Sequence, residues 1–280
     1  MQDPDTRIRY VLDNFWKELA DTSRRYLCDS LHVAGVENTK VEEQVGLYAT
    51  LLMQCDPSLS KSAVRRAVDL FTKAQLADTS SNILTGMDKL LSRYLYDPNS
   101  PVRNEDAYGA YAQAMAECPL VPETIRSSFQ RDSWLCSLNA TGTPAADFSF
   151  LCRDGKTRTL YGTKAPLTLL FFSNPGCNNC AEITALLSTD ELTVSLQSEG
   201  TLQIVNVYID EEIDKWWEFS SEYPKAWICG CDPDFTIRTD LLYNVRAIPS
   251  LYLLDENKNV LLKDATTDRL MEFLYAFASK

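Results

Sequence analysis

Leu167-Thr168-Leu169-Leu170-Phe171-Phe172-Ser173-Asn174-Pro175-Gly176-Cys177-Asn178-Asn179-Cys180 is the stretch on which the reading of this chain turns. Leu167–Phe172 is strongly apolar and has the length of one buried strand. Residues 173–176 form a short loop, and the cysteine pair then opens a helix predicted over about 178–187. A cysteine at a helix N-terminus meets unpaired backbone N–H groups and the positive end of the dipole, which favours its thiolate. A second cysteine three positions on lies one turn along, near enough to attack a mixed disulfide formed by the first. Cys177 and Cys180 are therefore candidates for a redox-active dithiol. Taken alone, the spacing also fits half a zinc site, completed by Cys229-x-Cys231, or a structural disulfide. A Cu(I) carrier has the right ligand type in the same pair, but no histidine stands nearby.

Outward from this stretch, short apolar runs alternate with helical patterns. Asn139-Ala140-Thr141-Gly142-Thr143-Pro144 is small and polar, a linker composition. Residues 148–152 and 157–161 flank Asp154-Gly155, a hairpin signal. A strand is predicted over 202–209, a helix over 211–221 and a short helix over 234–242. Cys229 and Cys231 are expected in a loop. Two strands near 250–254 and 260–263 are joined by Glu256-Asn257-Lys258-Asn259, and 267–278 is an amphipathic helix. Residues 137–280 thus read as a mixed α/β domain.

Before residue 137 the pattern is helical. Ile8, Val11, Leu12, Phe15 and Leu19 form one apolar stripe. Further helices are predicted over 39–54, 58–76, 82–95, 104–117 and 122–134. Asp56-Pro57, residues 97–101 and Cys118-Pro119 supply the breaks. Residues 1–136 read as an all-α domain with no chemistry of their own.

The bulk composition removes several functions. A formal charge of −12 repels phosphate backbones and anionic lipid, which argues against nucleic-acid and membrane-surface binding. The longest uncharged run, 165–181, holds Asn, Pro, Gly and Cys and does not read as a membrane span. The only histidine, His32, lies far in sequence from the cysteine pair, so Ser-His-Asp and Cys-His catalysis lack their parts. Nine cysteines, at 28, 55, 118, 136, 152, 177, 180, 229 and 231, do not form a secreted disulfide framework. No cofactor or metal is called for. The opening Met1-Gln2-Asp3-Pro4-Asp5 holds no secretory apolar region, which fits a cytosolic protein or one whose export signal has been removed.

These motifs resemble the thioredoxin superfamily, and most closely the TlpA/ResA branch of envelope thiol-disulfide oxidoreductases. Gly142-Thr143-Pro144-Ala145-Ala146-Asp147-Phe148 is similar to the segment that precedes that branch's first hairpin. Tyr243-Asn244-Val245-Arg246-Ala247-Ile248-Pro249-Ser250 resembles the segment carrying its cis-proline. The resemblance covers about 140–280. It implies a thioredoxin-like fold after an all-α domain, and disulfide exchange with protein or peptide thiols through Cys177 and Cys180. It also implies a cis Pro249, with Ile248 offering its backbone to a bound peptide. An upstream electron donor or acceptor and a periplasmic or envelope-anchored location follow from the same likeness. A non-catalytic scaffold on a degenerate thioredoxin fold is the competing reading. Three departures bear on mechanism. Pro175-Gly176 stands where thioredoxins place Trp before the first cysteine. Phe171 occupies the position of their buried carboxylate. Ile183 replaces the Glu that the branch tends to carry after the second cysteine, and Glu182 is expected to be a solvated charge.

Overall fold

A computed structural model describes residues 4–23 and 29–279, and Cys28 lies outside them. The chain divides into two compact units, Met1–Ser137 and Leu138–Lys280.

The first unit holds α1 (Pro4–Asn14), a small hairpin of β1 (His32–Val33) and β2 (Val36–Glu37), then α2 (Asn38–Met53), α3 (Pro57–Ala77), α4 (Ile83–Leu95), α5 (Glu105–Glu117) and α6 (Glu123–Ser137). Local chemistry sets the starts. Asp56 caps α3 by accepting the Ser58 N–H with Pro57 in the first turn, and Asn104 caps α5 by accepting the Ala107 N–H. Buried faces of α2 and α4, with Val41, Val45, Tyr48 and Leu91, join one apolar core. The apolar stripe predicted through Leu19 does not stay on one helix. α1 ends at Asn14, Val11 is exposed, and Trp16 enters the core against Tyr48 and Phe71. The two-residue strands of the hairpin are too short to show alternation in sequence.

The second unit holds β3 (Ser149–Cys152), β4 (Thr157–Thr159), β5 (Leu167–Phe172), α7 (Asn178–Thr189), α8 (Glu191–Ser198), β6 (Leu202–Tyr208), α9 (Ile213–Phe219), a 3-10 turn (Ser220–Glu222), β7 (Ile228–Cys231), α10 (Thr236–Thr239), β8 (Ser250–Leu254), β9 (Val260–Leu262) and α11 (Thr267–Ala278). Its seven strands form one sheet in the order β4-β3-β7-β6-β5-β8-β9. β5, β6 and β7 run parallel, and the pairings of β8, β9, β3 and β4 are antiparallel. All six residues of β5 are buried because the sheet is covered on both faces. Leu167, Leu169 and Phe171 pack under α7, α8 and α11, and Leu170 and Phe172 join the opposite layer with Phe148, Phe150 and Tyr252.

One expected loop is a strand. Cys229 and Cys231 lie on β7, between β6 and β3, and both are buried. Gly230 between them permits this. A Cβ there would stand 2.6 Å from Phe150 Cδ2 and 2.9 Å from the Leu151 carbonyl oxygen, so β3 can approach only a glycine.

Candidate redox site

Strand register alone collects the cysteine pair and the proline segment. β5 pairs with β8 so that Phe172 stands opposite Ser250. The carboxyl end of one strand therefore meets the amino end of the other. The loop to Cys177 leaves from Phe172, and Ile248-Pro249 leads into Ser250. The peptide bond between Ile248 and Pro249 is cis. Cys177 Sγ lies 4.0 Å from the Ile248 carbonyl oxygen. Cys177, Cys180, Ile248 and Pro249 thus come together at one end of the sheet.

The loop places Cys177 by a turn. Its N–H donates to the Asn174 carbonyl at 3.2 Å, with Pro175 and Gly176 between them. Gly176 has φ +78°, the left-handed backbone that position i+2 of a type II turn requires. That explains the missing Trp: a side chain there would be strained. Asn174 is held in turn by Asp210, to which its amide donates at 2.6 Å, and Arg238 donates to the other carboxylate oxygen at 2.5 Å.

Cys177 becomes the N-cap of α7. The Cys180 N–H donates to its Sγ at 3.2 Å, the cap bond that Ser or Asp usually supplies. The two sulfurs differ in surroundings. Cys177 is half-exposed and Cys180 is buried, both with free thiols. Burial, followed by the neighbouring Cys177, pushes the Cys180 thiol up to about 12. One thiol is presented to solvent and the other is shielded in its protonated form.

The proline segment has its own brace. Arg246 pairs with Asp264 at 3.0 Å, and Ser250 donates to the other carboxylate oxygen at 2.7 Å. Both residues of the ion pair are nearly buried, and they grip the chain on either side of Ile248-Pro249.

The second wall beside the dithiol has no counterpart among the sequence expectations. A groove of about 380 Å³ runs along α7 from Cys177 past Cys180 and Thr184, and is closed by Phe219, Tyr223 and Pro224. That wall hangs on Arg153. Its guanidinium donates to the carbonyls of Ser220, Tyr223, Pro224, Lys225 and Trp227 at 2.9 to 3.4 Å. No spacing links Arg153 to residues about 70 positions later, so no sequence signal marks it. Tyr223 and Ser173 are hydrogen-bonded through their hydroxyls at 3.3 Å, and the Asn206 amide donates to Ser173 at 2.7 Å.

Away from the groove, Glu182 is exposed and Ile183 buried, so no carboxylate from that turn enters the dithiol's layer. Trp216 and Trp227 are core residues, whereas Trp217 is 39% exposed. His32 belongs to the first unit and bonds Asp29 at 2.8 Å. Burial raises Cys229 to about 12 and Cys231 to about 11. Cys229 shares the buried layer of Cys180, while Cys231 packs with Tyr208 and Trp216. Among the described residues no group of three or more His, Cys, Asp or Glu is arranged to hold a metal ion. No helix among them is long and apolar enough to cross a membrane.

No protein-family model matches the sequence, and no curated protein matches it. Solved structures do. A thioredoxin-like protein from Bacteroides caccae is 32% identical, covers 99% of this chain and 95% of its own, and superposes with a TM-score of 0.83. The C-terminal domain of an uncharacterized protein from Bacteroides fragilis is 40% identical over 50% of this chain and 99% of its own, with a TM-score of 0.48. The thioredoxin domain of a thiol-disulfide oxidoreductase from Bacteroides vulgatus is 22% identical over 49% of this chain and 97% of its own, with a TM-score of 0.43. The first of these matches runs through the helical unit as well as the one bearing the cysteine pair, and at that identity and coverage the chain belongs to the family of thioredoxin-like proteins.

Proposed function

We propose that this chain is a thiol-disulfide oxidoreductase that exchanges disulfides with protein or peptide partners. Cys177 attacks a partner disulfide, forming a mixed disulfide and releasing one partner thiolate. Cys180 then attacks the Cys177 sulfur, which releases the second partner sulfur. The protein loses two electrons and the partner gains them, and the reverse sequence oxidises a dithiol. Ile248 and Pro249 form the ledge along which the partner's chain would lie.

The observation that carries this reading is the asymmetry of the pair. A half-exposed sulfur caps a helix and receives a backbone N–H, while its neighbour one turn on is buried and holds its proton. A structural disulfide needs no such difference. The full chain equilibrated in glutathione buffers of graded ratio, with thiols counted after quenching, tests it. One reversible two-electron transition is expected, and it should vanish in Cys177→Ser and in Cys180→Ser. A pair that stays reduced or stays oxidised across the range would favour the scaffold reading.

The resemblance to envelope oxidoreductases supports action in the periplasm or at the cell envelope, with a separate donor or acceptor recycling the pair. Fractionation of native cells should find the protein with the envelope; recovery in the cytosol would overturn the location.

A further inference from the structure

Two surfaces meet at Cys177, and they lie on opposite sides of β5. Ile248 and Pro249 lead into β8, the neighbour of β5 on one side. The segment 219–224 runs toward β7, two strands away on the other side, and walls the groove along α7. Neither Ile248 nor Pro249 lines that groove. On α7 its lining extends from Cys177 to Ser188, which at roughly 1.5 Å per residue is about 16 Å, the reach of about five residues of extended chain. That length suits an oligopeptide better than a small thiol.

The walls are apolar in effect. Thr184 and Ser188 line the α7 side, but their hydroxyls donate to the carbonyls of Cys180 and Thr184 at 2.8 and 2.6 Å, so those hydrogens are already used. Opposite stand Phe219, Tyr223 and Pro224, with the Tyr223 hydroxyl bonded to Ser173. Phe219 is 38% exposed, a large apolar side chain left half in solvent beside the dithiol. Arg153 holds the carbonyls of Tyr223 and Pro224, so this wall is in place before a ligand arrives. One charged side chain lines the groove, Glu222, and its carboxylate has no hydrogen-bond or ion-pair partner among the described residues. Around it, residues 210–225 carry six carboxylates and two lysines, a field that favours a cationic ligand.

We propose that this groove is the specificity site for the partner polypeptide. It takes the segment beside the partner's cysteine, seats a large apolar side chain against Phe219, Tyr223 and Pro224, and pairs a lysine or arginine with Glu222. This rests on the redox reading of the pair. The ledge at Ile248-Pro249 offers backbone, which any sequence can meet; the groove offers shape and charge, which only some sequences match.

The test uses the reduced full-length chain and short cysteine peptides that carry thionitrobenzoate on the sulfur, its release being read by absorbance. Cys177 attacks the peptide sulfur and thionitrobenzoate leaves as the thiolate. Cys180 then attacks Cys177, and the proton it loses ends on the departing peptide sulfur. Three peptides differ only beside the cysteine: phenylalanine with lysine, alanine with lysine, and phenylalanine with glutamate. N-acetylcysteine amide bearing the same group is the reference. The peptide with phenylalanine and lysine is expected to react fastest, with about a tenfold loss for alanine and about a two- to fivefold loss for glutamate. Phe219→Ala should remove most of the first difference, and Glu222→Lys should invert the second. Both positions are exposed, so neither change opens the core. Equal rates for all peptides and the reference, beside a normal transition in glutathione buffers, would overturn this inference alone. So would preferences that both variants leave unchanged. A wild-type chain with no reversible transition would overturn the redox reading, and this inference with it.

Discussion

At the scale of single residues, the two cysteines differ by position rather than by type. Cys177 occupies a cap site where a backbone N–H already points at its sulfur, and Cys180 lies in the first turn of α7 on its buried face. Their substitutions should therefore behave differently. Cys180→Ser is expected to keep a reactive thiol and to trap a partner as a stable mixed disulfide. Cys177→Ser should abolish exchange. The remaining thiol is still raised by burial, so its alkylation at pH 7 should be slower than that of an ordinary exposed cysteine. Rates for each single variant, read by mass spectrometry, check both statements. A faster Cys180 would reverse the assignment.

At the scale of elements, the segment that leads into β7 forms one side of the site. Gly230 lets β3 close on β7, so Gly230→Ala forces a contact with Phe150 and the Leu151 carbonyl. Loss of about 1–3 kcal/mol is expected, measurable as a lower urea midpoint with unchanged slope. Arg153 acts on the next stretch by gathering five carbonyls from Ser220 to Trp227. Arg153→Met removes the guanidinium from all five, although the Pro224 carbonyl keeps the Trp227 N–H. A cost of about 2–3 kcal/mol is expected, with faster amide exchange or proteolysis confined to 220–227. Unchanged protection of that segment would show that it is held by something else.

At the scale of the whole molecule, the buried thiols set a pH dependence. Cys180 and Cys229 lie near 12 and Cys231 near 11 in the folded chain, against an ordinary value of 9.0. Between about pH 9 and 11 the unfolded chain has released protons that the folded chain keeps. The unfolded state then binds fewer protons, so stability falls as pH rises through this window. Urea midpoints taken at pH 7, 9 and 10.5 should decrease in that order, and Cys229→Ala should flatten the decline. The two compact units suggest a second test. A fragment beginning at Leu138 keeps the bond from Lys263 Nζ to the Leu138 carbonyl and those of Asn139 to Leu242 and Ala146. It is expected to fold and to retain the redox transition. A folded but redox-inert fragment would mean that the helical unit completes the site.

The helices of the first unit were legible because caps and breaks are local: Asp56-Pro57 and Asn104 mark their own starts. The dithiol was legible for the same reason, since a strand, a turn and a helix N-terminus are contiguous in residues 167–180. So was Thr267–Ala278, whose apolar stripe is periodic. What the sequence could not supply was anything fixed by partners distant along the chain. β7 is four residues with a glycine inside and one β-branched residue, Ile228, and is a strand because β6 and β3 flank it. The contact of Cys177 with Ile248 depends on the β5–β8 register, and the place of Tyr223 depends on the carbonyls that Arg153 holds. The sequence by itself determined the fold class and singled out the candidate pair, because these rest on spacing within a few residues. Only the tertiary structure decided what surrounds that pair, because hydrogen bonds across a sheet leave no periodic trace in the chain that makes them.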